Sequence, residues 1–312
     1  MSTLICGSMA YDNIMVFQGR FKEHILPDQI HILNVSFLVP ELRREFGGCA
    51  GNIAYTLRLL GGEPRIMATV GSDFGTYRQW LGQHALDLGH VREIPECLTA
   101  QAYITTDLDD NQITAFHPGA MNEAHRNQVP PNAGLKLGIV SPDGRQGMLD
   151  HAEQLHAAGI PFVFDPGQGL PMFDGNDLRH FVELATWVAV NDYEAKLLID
   201  RTGWSEQQLA TQVQALIVTR GALGSTVLAG QERIEIPIVK PLAILDPTGC
   251  GDAYRAGLLH GISRGLPWAE TGRLASLLGA LKIAHRGTQN HHFTPTSLAQ
   301  EFRTAFGHEL RL

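Results

Sequence analysis

Short apolar runs recur along most of the chain, separated by longer stretches in which apolar residues return with a helical period. Residues 4–9, 65–70, 137–140, 161–164, 187–190 and 215–219 are mostly apolar runs that read as buried strands. Helical patterns lie between them, as at 50–60 and 147–158. This alternation predicts an α/β fold whose central, mainly parallel sheet is flanked by helices on both faces.

Two stretches break the rhythm. Residues 29–39 alternate in places, with Val35, Phe37 and Val39 on one face. Residues 102–108 and 112–117 are β-rich and joined by Asp109-Asp110-Asn111, a hairpin-turn sequence. Neither stretch has helices to cover it. The expected arrangement is a single domain, 1–312, in which roughly 13–42 and 100–118 form a small β lid. No internal repeat or linker interrupts the chain.

Composition removes several functions. Of 312 residues 44% are hydrophobic and 18% charged, enough apolar residues for a large core. A formal net charge of -8 argues against nucleic acid or an anionic membrane as partner. Glu183 and Lys282 interrupt the best apolar runs, which are too short to span a bilayer. Residues 1–12 have no basic stretch and read as a strand rather than a secretion signal. Cys6, Cys49, Cys97 and Cys250 form no CxxC pair, so a reducing cytoplasm suits them better than a disulfide framework or zinc site. Among 14 histidines only His291-His292 are adjacent; they lack metal-ligand spacing and read as an exposed loop.

The segment richest in chemistry is Asp246-Pro-Thr-Gly-Cys-Gly-Asp-Ala-Tyr-Arg-Ala-Gly257. Pro247 blocks a helix before it, and 253–264 can form one after it. Gly249, Cys250 and Gly251 then lie at a helix N-terminus, where unpaired amides and the positive dipole end converge. Such a tip suits charge growing on a transferring phosphoryl group, and Asp252 beside it can take a proton from an attacking hydroxyl. A plain turn with an N-cap is the competing account of the same residues. No Lys-Ser or Lys-Thr follows the glycines, so this is no Walker A loop; Tyr254 also replaces the third glycine of a dinucleotide fingerprint. The helix tip further predicts a lowered pKa for Cys250, hence a thiol open to alkylation and shielded by ATP. Arg255 is left facing either phosphate or solvent.

This segment closely resembles the DTxGAGD-type signature of the ribokinase (PfkB carbohydrate kinase) family, with Cys250 at its usual alanine. The second family signature appears as Gly47-Gly-Cys-Ala-Gly-Asn52, before an amphipathic helix ending in Leu60-Gly-Gly62. The resemblance runs nearly end to end and implies a ribokinase-like fold, with Asp252 as catalytic base and Gly249 to Gly251 as anion hole. Asn191-Asp-Tyr-Glu194 is similar to the family's NxxE element, which implies Asn191 at the ATP and Glu194 organising Mg²⁺ through water. Thr219-Arg-Gly-Ala-Leu-Gly224 resembles its nucleotide loop, implying ATP contacts from Thr219, Gly221 and Gly224. Alone, these two would be an ordinary helix start and a β-turn. Asp246, Thr248 and residues 284–290 match the region where many relatives bind a monovalent cation, so K⁺ joins ATP and Mg²⁺ as an implied cofactor. Lid sheets in this family often clasp a second subunit, which implies a homodimer.

For the acceptor, Asp12 follows the first strand, at the edge where open α/β sheets bind ligands, and its carboxylate can hold a vicinal diol. The resemblance places sugar hydroxyls on Asp12, Gly48 and Asn52. Phe17-Gln-Gly-Arg-Phe21, Leu26-Pro27, Ser36-Phe-Leu-Val39, Thr105-Thr-Asp107 and Phe116-His-Pro-Gly-Ala-Met121 resemble the bacterial adenosine kinase branch. Phe116 can stack on a base or serve as lid core. In Asp165-Pro-Gly-Gln168-Gly169, Gln168 is expected near the base, and Gly169 stands where that branch tends to carry a second glutamine. The missing amide relaxes base selection. The expectation is an ATP-dependent nucleoside kinase acting on the 5′-hydroxyl, adenosine kinase-like with inosine, guanosine or cytidine in range. A kinase for ribose or another sugar, and a nucleoside-binding protein that has lost catalysis, are the alternatives.

Overall fold

A computed structural model describes residues 2–25, 35–109, 111–131 and 134–310. Thirteen strands lie among them: β1 (Ser2–Cys6), β2 (Ala10–Val16), β3 (Glu41–Gly47), β4 (Glu63–Gly71), β5 (Asp87–Ile94), β6 (Ala100–Thr106), β7 (Gln112–His117), β8 (Leu137–Val140), β9 (Phe162–Phe164), β10 (Trp187–Asn191), β11 (Ala215–Thr219), β12 (Ser225–Ala229) and β13 (Glu232–Ile236). Nine form one sheet in the order β13-β12-β11-β10-β9-β8-β1-β4-β5, and four form another in the order β3-β2-β6-β7. In the large sheet only β12 and β13 run antiparallel to their neighbours.

The apolar runs split their side chains between two cores, because successive strand residues point to opposite faces. Ile5, Ala189 and Ile217 pack on one side with Ile53, Leu259 and Ala275, from the helices Cys49–Leu59, Cys250–Arg264 and Trp268–Ile283. Leu4, Val188 and Leu216 pack on the other with Met148, Phe181 and Leu198, from Arg145–Ala157, Gly175–Leu184 and Asp192–Thr202. This is the ribokinase-like layering: helices, a large mainly parallel sheet, helices, and a small separate sheet as lid.

The run 4–9 is not one strand. β1 ends at Cys6, and after three residues the chain enters β2 in the other sheet. Of the alternating stretch 29–39, residues 29–34 lie outside the described residues, as do Leu26-Pro27 and Asp110, and 35–39 form no strand. The lid strands are instead β2 and β3 on either side of it, so the described lid sheet occupies parts of 10–47 and 100–117. β3, Glu-Leu-Arg-Arg-Glu-Phe-Gly, carries too much charge to announce itself as a strand. The hairpin β6–β7 forms, and Asp107 organises its turn: Oδ1 accepts from the amides of Asp109 and Asn111, both at 2.9 Å.

Strand order reverses beside β1, which has β4 on one side and β8 on the other. The carboxyl ends of β1 and β8 therefore diverge into a crevice, the usual ligand position in open α/β sheets. The lid lies over that crevice. Among the described residues no helix is long and apolar enough to cross a membrane.

Candidate active site

A cavity of about 770 Å³ fills the crevice. Its floor comes from the ends of β1, β8, β9, β10 and β11 through Ser8, Pro142, Asp143, Asp165, Asn191 and Thr219, and its roof from lid residues Ala102, Ile104, Thr114 and Phe116. Asp12, Gly48, Asn52, Gln168, Glu194, Thr248, Gly249, Gly251 and Asp252 also line it. Residues from opposite ends of the sequence are thus gathered at one place.

Two helix N-termini point at the cavity. Helix Cys49–Leu59 begins after Gly48, whose φ of 87° is in the left-handed region. A Cβ there would fall 2.5 Å from the Ser8 carbonyl and 2.6 Å from both the Ala10 amide and Met9 Cα. Only glycine lets the helix approach the β1–β2 junction so closely, and that approach brings Asn52, one turn in, over the cavity. Helix Cys250–Arg264 begins after Gly249, also left-handed at φ 79°. It starts three residues before the expected 253, so Cys250, Gly251 and Asp252 form its first turn.

Asn52 joins the two helix tips by donating Nδ2 to Asp252 Oδ2 at 2.7 Å. The amide is held the right way round: Gln289 Nε2 donates to Asn52 Oδ1 at 3.0 Å, and Trp80 Nε1 donates to Gln289 Oε1 at 3.0 Å. Burial pushes the Asp252 carboxyl up to about 6 against the lowering effect of Asn52. Asp12, in the lid strand β2, also rises to about 6, through burial and then the neighbouring charges of Asp252, Asp246 and Glu45. A carboxylate with this affinity can take a proton from an alcohol near neutral pH, and the adjoining helix tip can stabilise anionic charge.

At the other end, Asn191 and Glu194 form a full capping box. Asn191 Oδ1 accepts the Glu194 amide, Glu194 Oε2 accepts the Asn191 amide, and Asn191 Nδ2 donates to Glu194 Oε1, each at 2.8 Å. Arg255, undecided from sequence, is buried and turned inward. It donates to Asp165 Oδ1 at 2.9 Å and lies 4.0 Å from Glu194.

Four expected site residues lie outside the cavity wall. Gly221 and Gly224 bracket a short 3₁₀ turn beyond β11. Cys250, the first residue of the helix, and Asp246 do not line the cavity. Both Asp246 oxygens are taken by backbone amides, Thr248 at 3.0 Å and Gly287 at 2.9 Å, and its carbonyl accepts Lys282 Nζ at 2.8 Å. Two readings are corrected. The Cys250 thiol is pushed up to about 11 by burial rather than lowered by the helix tip, so it is not an activated nucleophile. His291 is fully buried; its Nε2 lies 3.1 Å from Thr56 Oγ1, and burial drops its pKa to about 3. Only His292 is exposed.

Sequence reasoning missed Asp143, Arg255 as a buried partner of Asp165, and Gln289. Asp143 Oδ2 is buried without a partner among the described residues, and burial lifts its carboxyl to about 8. The Ser-Pro-Asp sequence after an apolar run was its only signal. Nothing local marks Gln289, whose partners are 209 and 237 positions away.

Comparison with known proteins finds relatives over nearly the whole chain. A nucleoside kinase of Burkholderia thailandensis, solved in complex with inosine, is 56% identical, with 99% of this chain and 100% of that one covered and a TM-score of 0.92. The ADP-inosine complex of that kinase gives 58% identity, 99% and 97% coverage and a TM-score of 0.89. The nucleoside kinase of Methanocaldococcus jannaschii is 29% identical over 260 residues, 83% of this chain and 85% of the relative. The pfkB family carbohydrate kinase domain matches residues 9–296. With that match over most of its length, the chain belongs to the pfkB family of carbohydrate kinases.

Proposed function

We propose that the protein is an ATP-dependent nucleoside kinase that transfers the γ-phosphoryl group to the 5′-hydroxyl of a nucleoside. One observation carries this reading: Asp252, the helix-tip backbone of Gly249 and Gly251, and Asp12 face one roofed cavity. Asp12 and Asn52 hold the ribose hydroxyls beside Gly48. Asp252 accepts the 5′-hydroxyl proton as the oxygen attacks, and the Gly249–Gly251 tip, with Cys250 contributing only backbone, faces the charge on the transferring group. Asn191 and Thr219 line the ATP end, and Gly221 and Gly224 lie in the turn that follows Thr219. The relatives named nucleoside kinases support the acceptor class.

The lid supports the base. Phe116 is exposed on β7 with its side chain toward the cavity, a face on which a purine or pyrimidine can stack. Gln168 supplies one amide beside it, and Gly169 and Met172 supply none, which favours several bases over one.

Glu194 suits a Mg²⁺ held through water, since Asn191 already engages both of its carboxylate oxygens. Bound with ATP, the ion would neutralise phosphate charge. Potassium does not fit the Asp246–Thr248 region, where amides and the Lys282 ammonium occupy the Asp246 oxygens. A homodimer through the lid draws support from its outer face. Leu42 and Met15 stand opposite one another, as do Thr105 and Ile113, with Met15 paired to Thr105, which makes a row across all four strands; Leu42 is 66% and Ile113 44% exposed. Four free cysteines suit a reducing cytoplasm.

The test is a turnover panel with ATP, reading ADP release for nucleosides against pentoses and hexoses. Nucleoside-dependent release is expected. Release with sugars alone would move the assignment to a sugar kinase, and failure to release ADP with any acceptor would move it to a binding protein.

A further inference from the structure

Lys282 has no exposed surface. Its ammonium donates to two backbone carbonyls, Asp246 O at 2.8 Å and His285 O at 3.1 Å. Peptide carbonyls are the ligands that replace the water shell of a monovalent cation. The lysine stands in the last turn of helix Trp268–Ile283, where carbonyls lack helical partners and the dipole favours positive charge.

The two carbonyls belong to different loops. Asp246 opens the turn that ends in Gly249, just ahead of Gly251 in the first helical turn; His285 opens the segment that carries Gln289. The Asp246 carboxylate bridges the same two loops through the amides of Thr248 and Gly287. From Gln289 the path runs through Asn52 to Asp252. One ammonium therefore anchors both the helix-tip amides and the side chains that orient the carboxylate. Burial lowers the lysine's pKa, while the negative charges of Asp246, Asp252 and Glu45 oppose that loss of charge.

We propose that the Lys282 ammonium is a built-in monovalent cation, clamping the helix-tip turn to the 284–290 loop, so that this kinase needs no added potassium. Lys282 is a positioning residue, acting through backbone and Gln289 rather than on substrate. The proposal rests on the kinase reading of Asp252, and its test has an arm that does not.

Wild type and Lys282→Ala are compared in choline, potassium and ammonium chloride at one ionic strength, by nucleoside phosphorylation and by Tm. The wild type is expected to show the same rate and Tm in all three salts. Lys282→Ala is expected to lose on the order of 10²-fold in rate in choline. Potassium or ammonium should restore rate and raise Tm in the variant alone. Potassium activation of the wild type overturns the proposal, and needs no variant. So does a folded Lys282→Ala that keeps full rate in choline, or whose loss no small cation repairs. Should the wild type phosphorylate no nucleoside, the kinase reading fails, and the salt-specific Tm response still decides the lysine's role.

Discussion

Asn52 and Asp252 stand 200 positions apart in sequence and 2.7 Å apart in space, the amide of one helix tip donating to the carboxylate of another. The bond favours the charged form of Asp252, opposing the burial that lifts its carboxyl to about 6. Removing the donor leaves burial opposed only by the weaker effects of Arg255 and Cys49. In Asn52→Ala the acid limb of the kcat/KM profile, which reports the free enzyme, should move to higher pH by up to about 1 unit. The measurement is kcat/KM for inosine from pH 5 to 9; an unmoved limb would show that Asn52 does not tune the base.

Asp252→Asn keeps the shape and removes the proton acceptor. Its kcat should fall on the order of 10²–10⁴-fold, with nucleoside Kd little changed. Stability should move the other way. The folded pKa lies above the ordinary carboxylate value of 3.8. The folded state therefore binds the proton more tightly than the unfolded chain. The charged carboxylate accordingly costs stability above pH 6, by up to about 3 kcal/mol, and the cost fades as pH falls toward 4. Asp252→Asn should thus melt higher than wild type at pH 7.5 and converge with it near pH 4. Near-normal turnover, or a lower Tm at pH 7.5, would count against this account.

How much of this was legible beforehand follows from where each signal resides. Runs such as 137–140 and 215–219 announce strands because burial on both faces demands continuous apolar residues. β2 and β3 gave little sign, since β2 carries the polar Asp12 and Asn13 and β3 is mostly charged. Gly48 and Gly249 were visible because positive φ restricts residue choice, and Asp252 because it completes the family signature. Gln289 and Lys282 were invisible. Their partners lie in loops distant in sequence or are backbone carbonyls, which place no demand on local pattern. The same blindness produced the Cys250 error, because a helix tip can be read from sequence and the burial that outweighs it cannot.

Asp12 projects from β2 into the cavity with its pKa lifted to about 6, so at neutral pH it is ionised and ready to accept hydrogen bonds from a diol. Losing a charged hydrogen-bond acceptor is worth about 1.5–3 kcal/mol. Asp12→Ala should therefore raise the KM for inosine roughly 10–10²-fold, with a smaller effect on kcat. The effect on 2′-deoxyinosine should be smaller, because one of the two donors is already missing. Equal penalties on both nucleosides would place Asp12 away from the ribose hydroxyls.

Two glycines at positive φ should answer alanine very differently. Gly48, at φ 87°, has Ser8 O, Ala10 N and Met9 Cα within 2.6 Å of the position a Cβ would take, and backbone cannot swing aside as a side chain can. Gly221, at φ 51°, has nothing among the described residues within 4 Å of that position. Left-handed backbone alone costs a non-glycine residue about 1–2 kcal/mol, and this is the whole expected penalty at 221. At 48 the clash adds to it, so Gly48→Ala should lose more than about 2 kcal/mol. Its helix tip must also retreat from β1, carrying Asn52 away from Asp252 and cutting turnover even where the protein stays folded. Urea titrations of the two variants beside kcat measurements check this. Equal losses at both sites would mean that the close approach at Gly48 does not hold the site together.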